Sequence, residues 1–178
     1  MEFFNNTKNF GLMITVLAVI DIVLGVIGIV NGGFSIGALG GILAPAVMIL
    51  AGIAIFTQTN GGIISFAFPE GSSSKFGALT GFIFAVGLSN ILTLNIGGII
   101  LGILILVVGW VITNDSKTFL DSVVWVVLII LFALIAISSI LAVLSGSIIA
   151  IISGICSAIL YLTAFLYLLD PEVKKKLV

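Results

Sequence analysis

Apolar positions in this chain come in long runs, with little of the alternation that marks strands or half-buried helices. Residues 10–31 and 36–56 are apolar almost throughout, and NGGFS (31–35) breaks them with turn-forming Asn and Gly. A hydrocarbon core of about 30 Å needs about 20 helical residues, so each run predicts a membrane-crossing helix. Residues 57–75 form the longest polar stretch; Pro69, Gly71, Ser72, Ser73 and Ser74 mark it as a loop, and its IISFAF core (63–68) suits a membrane interface. Residues 76–113 carry no charge. As one helix they would run about 57 Å, nearly twice the bilayer core, so they must fold back. LTLNIGG (92–98) marks that turn, and LSGS (144–147) divides 120–169 in the same way.

The expected fold class is therefore an all-α membrane protein with six transmembrane helices in three tight hairpins. The expected spans are 10–31, 36–56, 76–93, 95–113, 120–143 and 146–169. They form one integral membrane domain over 1–178, with an inner loop at 57–75 and a basic tail at 170–178. With six spans both termini share a side. Lys8, Lys75, Lys117, Lys174, Lys175 and Lys176 all fall on it, and the three opposite turns carry no charge. The positive-inside rule then makes both termini cytoplasmic, in a multi-pass protein of the cell membrane. Trp110, Trp125, Tyr161 and Tyr167 lie toward the same side, where amphipathic rings favour the headgroup level. NNT (5–7) fits a glycosylation acceptor but falls on the cytoplasmic side.

Composition agrees: 61% of residues are hydrophobic and 7% charged, where soluble domains carry about 25% charged residues. A net charge of −1 offers no basic patch for nucleic acid. The chain has no His, and its single cysteine, Cys156, sits among small apolar residues as a buried thiol. The start of the chain lacks a basic n-region, so the first apolar run reads as a retained span and not as a cleaved signal. Glu2, Glu70, Asp115, Asp121, Asp170 and Glu172 all lie at or beyond the inner interface. No paired carboxylates, nucleophile–base set, phosphate loop or Cys/His cluster occurs, so no enzyme, cofactor or metal is expected.

One carboxylate breaks the pattern: Asp21, in LAVIDIVLG. Its insertion at a helix centre costs about 2.5–3.5 kcal/mol. No Lys or Arg lies at that depth to offset it. Counting from the intervening turn places Pro45 at the same level, and Pro45 frees the carbonyl of Gly41. Similar counts bring Thr80 and Ser157 near that depth. Asp21, Pro45, Thr80 and Ser157 are thus a candidate intramembrane polar site. Two roles compete for Asp21: hydrogen-bonding glue between helices, or binding a proton or cation in transport.

Small residues recur at four-residue intervals: Gly28 and Gly32, Gly77 and Gly81, Gly98 and Gly102, Gly146 and Gly154 with Ala150 between. In lipid such residues let helix backbones approach closely, so these glycines are expected at helix-packing contacts. In layout, short Gly-rich hairpins forming six spans, the chain resembles small bacterial and archaeal membrane proteins, including the acid-resistance membrane protein family. The leading functional expectation is a non-enzymatic scaffold or accessory subunit that assembles with itself or other membrane subunits in the lipid bilayer. The alternative is a small proton- or cation-linked transporter or channel working through Asp21.

Overall fold

The computed structural model describes residues 6–59, 67–68, 71–114, 119–144 and 146–178. Helices form where the apolar runs lie, and a polar side chain starts most of them. Asn6 caps α1 (Thr7–Gly32), Ser35 caps α2 (Ile36–Phe56), Ser74 caps α3 (Lys75–Leu92) and Asn95 caps α4 (Ile96–Ile112). Each accepts a hydrogen bond from an amide that the helix start leaves open, a need that is sharper in lipid than in water. α5 (Phe119–Val143), α6 (Ile148–Leu169) and the short α7 (Pro171–Leu177) complete seven helices, and no strand occurs among the described residues.

Five helices, α1, α2, α3, α5 and α6, are long and apolar enough to cross a membrane. This is the helix inventory of a membrane-embedded, multi-pass protein. α4 is shorter than the expected 95–113. Asn95 is used as its cap and Leu94 turns the chain at φ 58°, so 17 residues remain, about 26 Å of helix.

Consecutive helices pack on one another, and the contacts fix their registers. On α1 and α2, Gly11 lies against the Gly52 carbonyl, and Gly25 against the Gly41 carbonyl. Gly87 of α3 meets Gly102 of α4, and Gly154 of α6 meets the Ser139 carbonyl of α5. α3 is the central helix: every residue from Phe76 to Gly87 is buried, with α1, α2, α4, α6 and α7 around it. The other long helices bury one stripe and present Val, Ile and Leu outward, as lipid-facing helices do.

Five of the expected packing glycines sit at close approaches: Gly77 against Gly71, Gly81 against the Phe68 ring, Gly98 against Thr93 and Asn90, Gly102 and Gly154 as above. Gly28, Gly32 and Gly146 do not, since each has nothing within 4 Å of a would-be Cβ. The first two have open space where a side chain would stand. Gly146 serves conformation instead, at φ +83° in the α5–α6 turn.

The start of α1, the start of α3 and the end of α6 lie together at what we call the terminal end. The Thr7 hydroxyl donates to the Ser73 carbonyl at 3.3 Å, and Lys75 pairs with Asp170 at 2.7 Å. The segment expected as a basic tail is mostly α7. Its Val173 and Leu177 are buried, and Lys174 stands 4.7 Å from the centre of the Trp125 ring. Trp125 donates to the Leu168 carbonyl at 2.9 Å. Tyr161 and Tyr167 do not form a headgroup belt. They join Phe10, Phe82 and Phe132 in a ring cluster with centroids 4.6 Å apart for Phe10–Tyr167 and 5.8 Å for Phe132–Tyr161. Ala67 and Phe68 of the IISFAF segment are buried, Phe68 against Gly81. Residues 63–66, Glu2, Asn5, Glu70, Pro69, Asp115 and Lys117 lie outside the described residues.

Two outcomes follow. A Cβ at Gly52 would stand 2.8 Å from the Gly11 carbonyl, whereas one at Gly28 meets open space. Gly52→Val is therefore expected to lower stability by about 1–3 kcal/mol, and Gly28→Ala to change it by less than about 0.5 kcal/mol, in detergent unfolding experiments. At Asp170, burial pushes the carboxyl up. Hydrogen bonds from Lys75 and the Glu172 amide, the Lys75 charge and the Val173 amide outweigh it, so the pKa falls below 3.8. The stabilisation, about 0.5–1 kcal/mol for so accessible a pair, is present above the unfolded value near ~3.9 and is lost as pH drops through the folded value. Unfolding measured against pH is expected to show a shallower acid limb in Asp170→Asn than in the parent.

Candidate functional site

Pro45 has no N–H, so the Gly41 carbonyl one turn earlier loses its helical donor. That carbonyl faces α1 at Gly25, where a Cβ would stand 2.5 Å from it. Asp21 is one turn before Gly25 on the same face. The antiparallel register therefore sets the carboxylate beside the proline-containing stretch of α2.

Two cavities meet at this point. The first, about 220 Å³, is bordered by Asp21 of α1, Ala44 and Pro45 of α2, Ser89, Asn90 and Thr93 of α3, and Ser157 and Tyr161 of α6. The second, about 510 Å³, shares Asp21, Ala44, Pro45 and Thr93 and extends to Gly37, Gly40, Asn95 and Ser153. It exists because α3 and α4 are short. Thr93 packs on Gly40, with the would-be Cβ 2.6 Å from the Thr93 carbonyl. The polar α3–α4 turn thus lies about 7 Å deeper than the α1–α2 turn. The recess left above it is lined by glycine and by turn residues. On the terminal side the chamber ends at Tyr161, and the ring cluster of Phe10, Phe82, Phe132 and Tyr167 fills the space beyond.

The carboxylate is incompletely bonded. The Ser153 hydroxyl hydrogen-bonds it, while Oδ1 is buried without a partner. The polar groups nearby are committed to backbone. Ser89 donates to the Ala44 carbonyl at 2.8 Å, the Asn90 amide nitrogen to Val86 at 2.8 Å and Thr93 to Asn90 at 2.6 Å. No Lys or Arg borders either cavity.

Asp21, Pro45 and Ser157 border one cavity. Thr80 does not join them: it is fully buried and its hydroxyl donates to Gly77 at 2.9 Å. Counting from the turns assumes that the turns are level, and the recessed α3–α4 turn displaces α3 toward the terminal end. At the depth of Asp21, α3 therefore presents Ser89 and Asn90. Ser89, Asn90, Thr93 and Ser153 were missed from sequence. Their signal was the i, i+4 pair Ser89–Thr93 on one face of an apolar span, hidden because Thr93 also belongs to a turn motif. Cys156 is buried and free, as expected.

No family model, curated protein or solved structure matches the chain. The site's chemistry must therefore be read from its own residues.

In a Cys156→Ser background, Thr93→Cys and Ser153→Cys are expected to react with a small water-soluble thiol reagent at least about tenfold faster than Thr80→Cys. Equal rates would mean that water does not enter the chamber.

Proposed function

We propose that this protein is a non-enzymatic cell-membrane protein that takes up a proton or cation at Asp21, as a small transporter or channel. The observation that carries this reading is the Asp21 carboxylate on the border of two cavities, with its Oδ1 atom buried and without a hydrogen-bond partner. A carboxyl that merely joins helices is expected to have both oxygens bonded. An intramembrane carboxyl whose oxygens are not both bonded calls for a proton or a cation. α2 runs unbroken through Pro45, which leaves the Gly41 carbonyl without its helical donor near the carboxylate. The sequence expectation put a scaffold ahead of a transporter; the cavities beside Asp21 support the ion-handling reading.

The topology that goes with this reading has six crossings in three hairpins, α4 being the short sixth. Lys8, Lys75, Lys174, Lys175 and Lys176 belong to the terminal end, and the turn-end segments 33–35, 93–95 and 144–147 carry no charge. The positive-inside rule then supports a cytoplasmic terminal end and a chamber that faces outward.

A second reading, scaffold or accessory subunit of a homo- or hetero-oligomer, is favoured by one observation. Gly28 and Gly32, one turn apart on α1, meet nothing within 4 Å, so this GxxxG face is open to a helix of another subunit.

Purified protein in liposomes is expected to carry a pH- or cation-gradient-driven flux that Asp21→Asn reduces at least about tenfold while the protein remains folded. Undiminished flux in Asp21→Asn would overturn the ion-handling reading, and a particle mass of several chains with no flux would favour assembly.

A further inference from the structure

The chamber's lining joins one carboxylate to hydroxyl and amide groups, among them Asn90, Ser157 and Tyr161. Ser89 and Thr93 direct their hydroxyl hydrogens to the Ala44 and Asn90 carbonyls, and the Thr93 oxygen also accepts from the Asn95 amide at 2.9 Å. Asn90 has its amide nitrogen tied to Val86, which leaves its amide oxygen uncommitted. Pro45 leaves the Gly41 carbonyl without its helical donor, and that carbonyl packs against Gly25. Asp21 adds the carboxylate, and no cationic side chain borders either cavity. An anion would meet a carboxylate and no cationic partner among the described residues. A proton needs one acceptor, whereas a metal ion can use both the carboxylate and the Asn90 amide oxygen.

We infer that the chamber binds a small monovalent metal cation, anchored by the Asp21 carboxylate with the Asn90 amide oxygen as a neutral ligand. The inference rests on the proposed role of Asp21 and names its ligand class. One carboxylate balances one charge, whereas divalent sites in oxygen cages recruit several. Hard cations take carboxylate, amide and hydroxyl oxygens, so lithium, sodium and potassium fit and soft metals do not. A volume of about 220 Å³ leaves room for several waters to complete the ion's shell.

Thermal unfolding of the purified full chain in detergent, with LiCl, NaCl or KCl titrated against choline chloride at constant ionic strength, tests the assignment. At least one of the three metal ions is expected to raise the midpoint in a saturable way that choline does not reproduce. Asp21→Asn, shown to be folded by its own transition in choline, is expected to lose that rise. Asn90→Ala, which keeps the carboxylate, is expected to need at least about tenfold more cation for half the effect. Identical curves in choline and all three metal salts, or a saturable rise retained in Asp21→Asn, would overturn the inference. If metal ions have no effect while Asp21-dependent, pH-driven flux persists in liposomes, the ligand class fails and the proposed role of Asp21 stands. If that flux is also absent, both fail.

Discussion

Two helices in lipid gain little by covering leucine with leucine, because the lipid tail is an equally good neighbour. What holds them is close backbone approach, and in this protein α1 and α2 achieve it at Gly11–Gly52 and at Gly25–Gly41. Those two contacts fix the register of the pair, and much else depends on that register. It sets Asp21 beside Pro45, and it brings the carbonyl that Pro45 frees against α1. A larger residue at Gly25 would push the helices apart at the level of the carboxylate.

The second organising feature is the shortness of α3 and α4. α3 is buried along most of its length and connects the two halves of the molecule. Near the terminal end it contributes Phe82 to a dry cluster of rings with Phe10, Phe132, Tyr161 and Tyr167. Near the other end it stops early and leaves Ser89, Asn90 and Thr93 around a recess. One short helix thus divides the bundle into a half filled with aromatic side chains and a half with polar cavities, and Asp21 lies between them. The division has a physical basis: rings fill volume efficiently and exclude water. A recessed turn leaves volume that only water, ions or solute can occupy.

The helices themselves were legible. Runs of 20 apolar residues, their Gly- and Asn-containing breaks and the impossibility of a 57 Å helix in a bilayer of about 30 Å led to boundaries within a few residues of α1 to α6. The depth match between Asp21 and Pro45 was legible too, because one tight turn joins their helices and both arms can be counted from it. Thr80 was misjudged because it sits on a different hairpin, whose turn is not level with the first. Gly28 and Gly32 meet no helix of this chain, because the four-residue spacing says that a helix can be approached closely, not which partner approaches it. The lysine-rich end read as a solvated tail, since nothing in PEVKKKLV announces that Val173 and Leu177 find a buried seat.

What the sequence determined by itself was the solvent, the helices and the presence of one carboxylate at membrane depth, since these follow from composition and from counting along a single chain segment. Only the tertiary structure decided which polar residues surround Asp21, that one of its oxygens is left without a partner, and that a cavity opens beside it. Those properties depend on relative shifts between helices of about one turn, set by a few contacts such as Thr93 on Gly40. No local pattern encodes a shift between segments that meet only after folding.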